Sequence, residues 1–108
     1  MKANDYQKAA ERTMTADTSK HDRLVNAALG LAGESGEVAD AVKKYLFHGH
    51  ALDRDTVLKE LGDIQWYLAQ ACNAMGTTIE EIMQMNINKL LARYPEGFNF
   101  ERSINRDE

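Results

Sequence analysis

Apolar positions recur along this chain at spacings of three, four and seven. No stretch alternates with period two for long enough to make a strand, so the pattern predicts helices throughout. The first covers residues 5–14. Thr15-Ala16-Asp17-Thr18-Ser19 then reads as a connection rich in helix N-cap residues. A second helix is predicted over residues 22–46, with Leu24, Ala28, Leu31, Val38, Val42 and Tyr45 on its apolar line. Gly49 supplies a stop, and Asp53 or Asp55 a cap for the next helix. The third runs over residues 56–75, with Val57, Leu58, Leu61, Ile64, Leu68, Ala71, Cys72 and Met75 as its stripe, and Gly76 ends it. Thr78-x-x-Glu81 is a capping-box pattern opening a fourth helix, lined by Ile79, Ile82, Met83, Asn86, Leu90 and Tyr94. Pro95-Glu96-Gly97 terminates it, and residues 99–108 form a polar tail with Phe98 and Phe100 as anchors. The fold class is all-α: one domain over residues 1–108, a small bundle of about four helices with short connections.

Charge and cysteine content narrow the function classes. Thirteen Lys plus Arg against seventeen Asp plus Glu gives a net charge of −4, which argues against nucleic acid as a partner. Cys72 is the only cysteine, so no internal disulfide forms, which fits a reducing cytoplasm. The polar start is no signal peptide, and no apolar run approaches the roughly 18 residues that cross a bilayer. The expectation is therefore a cytoplasmic protein with no membrane partner.

Two tetrads interrupt the ordinary helical pattern: Glu34-Ser35-Gly36-Glu37 and Glu60-Leu61-Gly62-Asp63. Each reads acid-x-Gly-acid. Residues three apart share one helix face, about 4.5 Å apart along the axis, so each tetrad aims two carboxylates one way. Each acid pair costs a few tenths of a kcal/mol in repulsion, and each glycine roughly 1 kcal/mol in helix propensity. Antiparallel packing of helices two and three leaves a lengthwise mismatch of about 7 Å between the tetrads. The six-residue connection from His48 to Asp53 spans that easily at about 3.3 Å per residue. Four oxygen-only ligands suit a hard cation, Mg²⁺ or Mn²⁺, with phosphate chemistry. A di-iron bundle wants Glu-x-x-His, which is absent, and the clustered Cys and His of a zinc site are absent too. The competing reading is two solvated acidic faces. A missing Cβ beside each acid would let backbone or ligand come close.

At these residues the chain resembles the MazG family of all-α nucleoside triphosphate pyrophosphohydrolases. Glu34-x-x-Glu37 and Glu60-x-x-Asp63 match its paired signatures, with 22 residues between them. Leu29-Gly30-Leu31-Ala32-Gly33 and Ile64-Gln65-Trp66-Tyr67 match the surrounding text, and Tyr6-Gln7 and Arg12-Thr13 resemble the leader of short, phage-type members. Asn86-x-x-Lys89-Leu90-x-x-Arg93-Tyr94-Pro95-x-Gly97-Phe98 looks like the third signature. The resemblance implies cleavage of the α–β phosphoanhydride of a (d)NTP to (d)NMP and pyrophosphate. It implies Mg²⁺, with Mn²⁺ as a substitute, on Glu34, Glu37, Glu60 and Asp63, and Glu34 as the acid that orients or deprotonates water. It also implies a homodimer or homotetramer with substrate pockets near subunit boundaries. Two other functions stay open: a catalytically idle helical interaction module, and a pyrophosphohydrolase specialised for an alarmone or one deoxynucleotide.

The remaining candidates each have two readings. Asn86, on the apolar line of helix four, either bonds within the core or contacts substrate. Lys89 and Arg93, one turn apart, are surface cations or, by the family match, clamps on the polyphosphate. Lys44 either offsets the acids or binds phosphate. Trp66 either packs in the core or stacks on the nucleobase.

Overall fold

A computed structural model describes residues 1–15 and 18–106. It contains five helices and, among the described residues, no strand: α1 Ala3–Glu11, α2 Lys20–Phe47, α3 Arg54–Met75, α4 Ile79–Arg93 and α5 Phe100–Ile104. The four long elements lie where periodicity and caps predict them. Ser19 caps α2 by accepting from the Asp22 N–H, and Asp53 caps α3 by accepting from Asp55 and Thr56. Gly76 closes α3 in the left-handed region at φ 71°, and Gly49 follows α2 at φ 73°. Thr78 accepts from the Glu81 N–H, but the Glu81 carboxylate takes the Thr77 hydroxyl rather than closing a reciprocal box. Two positions of the first predicted connection, 16 and 17, lie outside the described residues. The fifth helix lies within the polar tail of residues 99–108. Asn99 caps it by accepting from the Arg102 N–H.

The core gathers where α1 crosses α3 and the start of α4. Ala10, Ala69, Cys72 and Ile79 are buried there, with Ala3, Tyr6, Trp66 and Ile82 packed against them. Burial raises the Cys72 thiol pKa. Gln7 holds the junction together. Its amide donates to Asn73 Oδ1 at 2.7 Å and to the Thr77 carbonyl at 2.9 Å, and its oxygen accepts the Ile79 N–H at 2.7 Å. That N–H is one of the groups a helix start leaves without an intrahelical partner. Asn73 donates onward to Glu11, which pairs with Arg23 of α2 at 2.6 Å.

α2 and α3 pack along each other as the largest interface, yet much of their predicted apolar stripe stays open. Leu24, Val42, Tyr45, Leu58 and Leu61 are all exposed, as are Met83, Leu90 and Leu91 of α4. Periodicity identified these faces, but nothing in a single copy covers them. The radius of gyration is 17.0 Å, against about 13 Å for a compact chain of this length.

Candidate functional site: an acidic centre between α2 and α3

The antiparallel pairing of α2 and α3 brings part of each tetrad to one place. Glu34, Glu60 and Asp63 each offer a carboxylate oxygen, all within 4.8 Å of one another, so the three could hold a metal ion. Glu34 and Glu60 are half-buried and Asp63 is exposed. The Glu34 pKa rises to about 7. Its hydrogen bond with Glu60 is the first cause; desolvation and the negative charges of Glu60, Asp63 and Glu37 add to it. Glu34 Oε2 is enclosed with no hydrogen-bond partner among the described residues. An enclosed carboxylate oxygen without a donor, beside two further carboxylates, fits a cation with oxygen ligands.

Glu37 lies outside this trio. It is exposed, and it lines a groove of about 210 Å³ together with Glu60, Lys44, His50 and Thr56. Lys44 stands on that groove, held by Asp40 at 2.9 Å, and the contact raises the Lys44 pKa and lowers that of Asp40. His50 belongs to the connection from His48 to Asp53, and its place on the groove depends on how that connection folds back after Gly49.

Gly30 sets the helix separation one turn from the acids. A Cβ there would run into the ring of Tyr67, which itself packs edge-on against Trp66 at 5.1 Å. No backbone of this chain comes close to the tetrad glycines: a Cβ at Gly36 or Gly62 would meet nothing within 4 Å. Close approach within the chain belongs to Gly30, not to them.

The other candidates scatter. Trp66 faces α1: its indole N–H donates to Thr13 Oγ1 at 2.7 Å and its ring packs on the core. Asn86 is exposed on α4, so the argument from a buried amide does not apply to it. Lys89 and Arg93 line a separate cavity between α4 and α5 that includes none of the four acids. One residue near the acids was missed. Burial raises the Tyr6 phenol pKa, and the Asp63 charge raises it further, so α1 carries a hydroxyl beside the acidic centre. Its only sequence signal was the leader pair Tyr6-Gln7.

An all-α chain with two carboxylate-bearing helices packed antiparallel defines the class. A model of the MazG nucleotide pyrophosphohydrolase domain matches residues 24–98, and the chain belongs to that family. It is similar to the "Gene 37 protein" of Mycobacterium phage L5, 35% identical over 105 residues, covering 90% of this chain and 92% of the relative. No solved structure matches. Among the described residues no helix is long and apolar enough to cross a membrane.

Proposed function

We propose that this chain is a cytoplasmic Mg²⁺-dependent nucleotide pyrophosphohydrolase. It adds water across the α–β phosphoanhydride of a (d)NTP and releases (d)NMP and pyrophosphate. The observation that carries the reading is the convergence of Glu34, Glu60 and Asp63 from the two family-matched tetrads. Glu34, Glu60 and Asp63 hold the cation, Mn²⁺ being able to replace Mg²⁺, with Glu37 joining from the next turn. A bound divalent cation supplies Lewis acidity, neutralising phosphate charge and making water more acidic. Glu34 orients the attacking water and accepts its proton. Lys44 steadies phosphate from the groove edge, and Asn86, Lys89 and Arg93 engage the substrate from α4. Trp66 serves the seat of α1 instead.

The working form is a homodimer or homotetramer. Its support is the open apolar surface: the chain exposes 8145 Å², against about 6,000 Å² for a compact monomer of its mass. A second copy also offers a way for the α4 cations to meet acids that their own chain holds elsewhere. A panel of common nucleotides assayed with Mg²⁺ for pyrophosphate release tests the function. Release of pyrophosphate with the matching monophosphate is expected. Orthophosphate alone, or no turnover of any nucleotide, contradicts it.

A further inference from the structure

The acidic centre shares Glu60 with the groove of about 210 Å³, and the connection between α2 and α3 forms one wall of that groove. The connection is pinned along its length. The His48 and His50 N–H groups both donate to the Lys44 carbonyl, at 3.0 and 3.2 Å, and Gly49 turns between them at φ 73°. Both Asp53 oxygens accept from the first turn of α3. The wall is therefore shaped before any ligand arrives, which lowers the cost of binding. His50, Ala51 and Leu52 line the groove from this wall, and all three are exposed.

Volume, charge and surface decide which part of a nucleotide fits. Sites that enclose a whole small molecule run to roughly 300–1,000 Å³, so this groove takes a part of one. Glu37, Asp40, Asp53 and Glu60 line it against Lys44 and His50. Hydrogen bonds from Lys44 and from Thr56 are the first causes that lower the pKa of Asp40 and of Asp53, so both stay ionised. A polyphosphate tail would enter a negative field there, whereas an uncharged nucleoside end would not. Ala41, Ala51 and Leu52 offer apolar contact to a flat ring. Imidazole is among the aromatic groups on which unpaired bases stack.

We propose that this groove seats the nucleoside end of the substrate and that the His50 imidazole stacks on its base. The nucleotide itself rests on the function proposed above. His50 touches the base, away from the phosphate that reacts, so it sets affinity more than chemistry.

Calorimetry with Mg²⁺ and the α,β-methylene analogues of dATP, dCTP, dGTP and dTTP tests the groove without turnover. Inorganic tripolyphosphate with Mg²⁺ is the base-free control. Wild type is expected to bind at least one of the four analogues. His50→Ala is expected to weaken the tightest of them about fivefold or more, and His50→Phe, which keeps an aromatic face, to restore it to within about twofold. Tripolyphosphate affinity and helical circular dichroism are expected to be the same in all three proteins. In turnover assays His50→Ala should raise KM for the best substrate by the same factor, with kcat moving less than about threefold. Equal analogue affinity in wild type and His50→Ala overturns the proposal, as does a loss that His50→Phe does not restore. So does a parallel loss of tripolyphosphate binding, or a wild type that binds none of the analogues. His50-dependent analogue binding in a protein that turns over no nucleotide leaves the groove standing and the pyrophosphohydrolase reading refuted. Full turnover with KM unmoved by His50→Ala does the reverse.

Discussion

The two ends of α3 are built on opposite principles. At its C-terminal end, α1 seals Ala69 and Cys72, and Gln7 matches donors and acceptors around the start of α4. At its N-terminal half, carboxylates crowd one another, Glu34 Oε2 has no hydrogen-bond partner among the described residues, and Leu58 and Leu61 stay open. Satisfied polar groups stabilise a fold; crowded like charges store a demand for a counter-charge. One end of the helix therefore holds the structure, and the other gathers charge that a cation would offset.

The comparison breaks most visibly through activity. Glu60→Gln or Asp63→Asn should lower Mg²⁺-dependent turnover on the order of 100-fold or more, about 2.7 kcal/mol of transition-state stabilisation. Without metal the same changes should raise the melting temperature, because they relieve repulsion. Pyrophosphate release and a thermal melt in EDTA check both halves. At the other end, Gln7→Ala should cost about 2–4 kcal/mol in chemical denaturation, since it strands the buried Ile79 N–H and its neighbours.

Gly30→Ala should cost about 1–3 kcal/mol, because its methyl meets a Tyr67 ring braced by Trp66. It should also weaken cation binding by spreading α2 from α3. Gly36→Ala, facing open space, should instead stabilise metal-free protein by about 0.5–1 kcal/mol. Denaturation of the pair in EDTA separates helix approach from helix propensity.

A further effect is on pH. Glu34 binds its proton more tightly folded than unfolded, its pKa moving from 4.5 to about 7. Its contribution is thus present at acid pH and lost as pH climbs through that window. Metal-free stability should fall between those values, and Glu34→Gln should flatten the slope. Denaturation midpoints across that range measure it.

Much of this was legible in residues. Caps at Ser19, Asp53 and Thr78 and the stop at Gly76 marked three helices, because each acts on neighbours along the chain. Each tetrad marked a carboxylate-bearing helix face for the same reason. What escaped depends on distant contacts. Periodicity gave the faces of α2 and α3 but not what covers them. Glu37 fell outside the trio because helix crossing, not spacing, selects which turn meets its partner. Tyr6 reaches Asp63 across 57 residues of sequence, and Arg102 joins Lys89 and Arg93 only because a five-residue helix folds back.

The central claim is that Glu34, Glu60 and Asp63 form a divalent-cation site. Electron paramagnetic resonance of Mn²⁺ titrated into metal-free protein measures it directly. Wild type should bind Mn²⁺ saturably, with Mg²⁺ displacing it, and Glu60→Gln should weaken binding about tenfold or more. Equal Mn²⁺ affinity in wild type and Glu60→Gln would contradict the account.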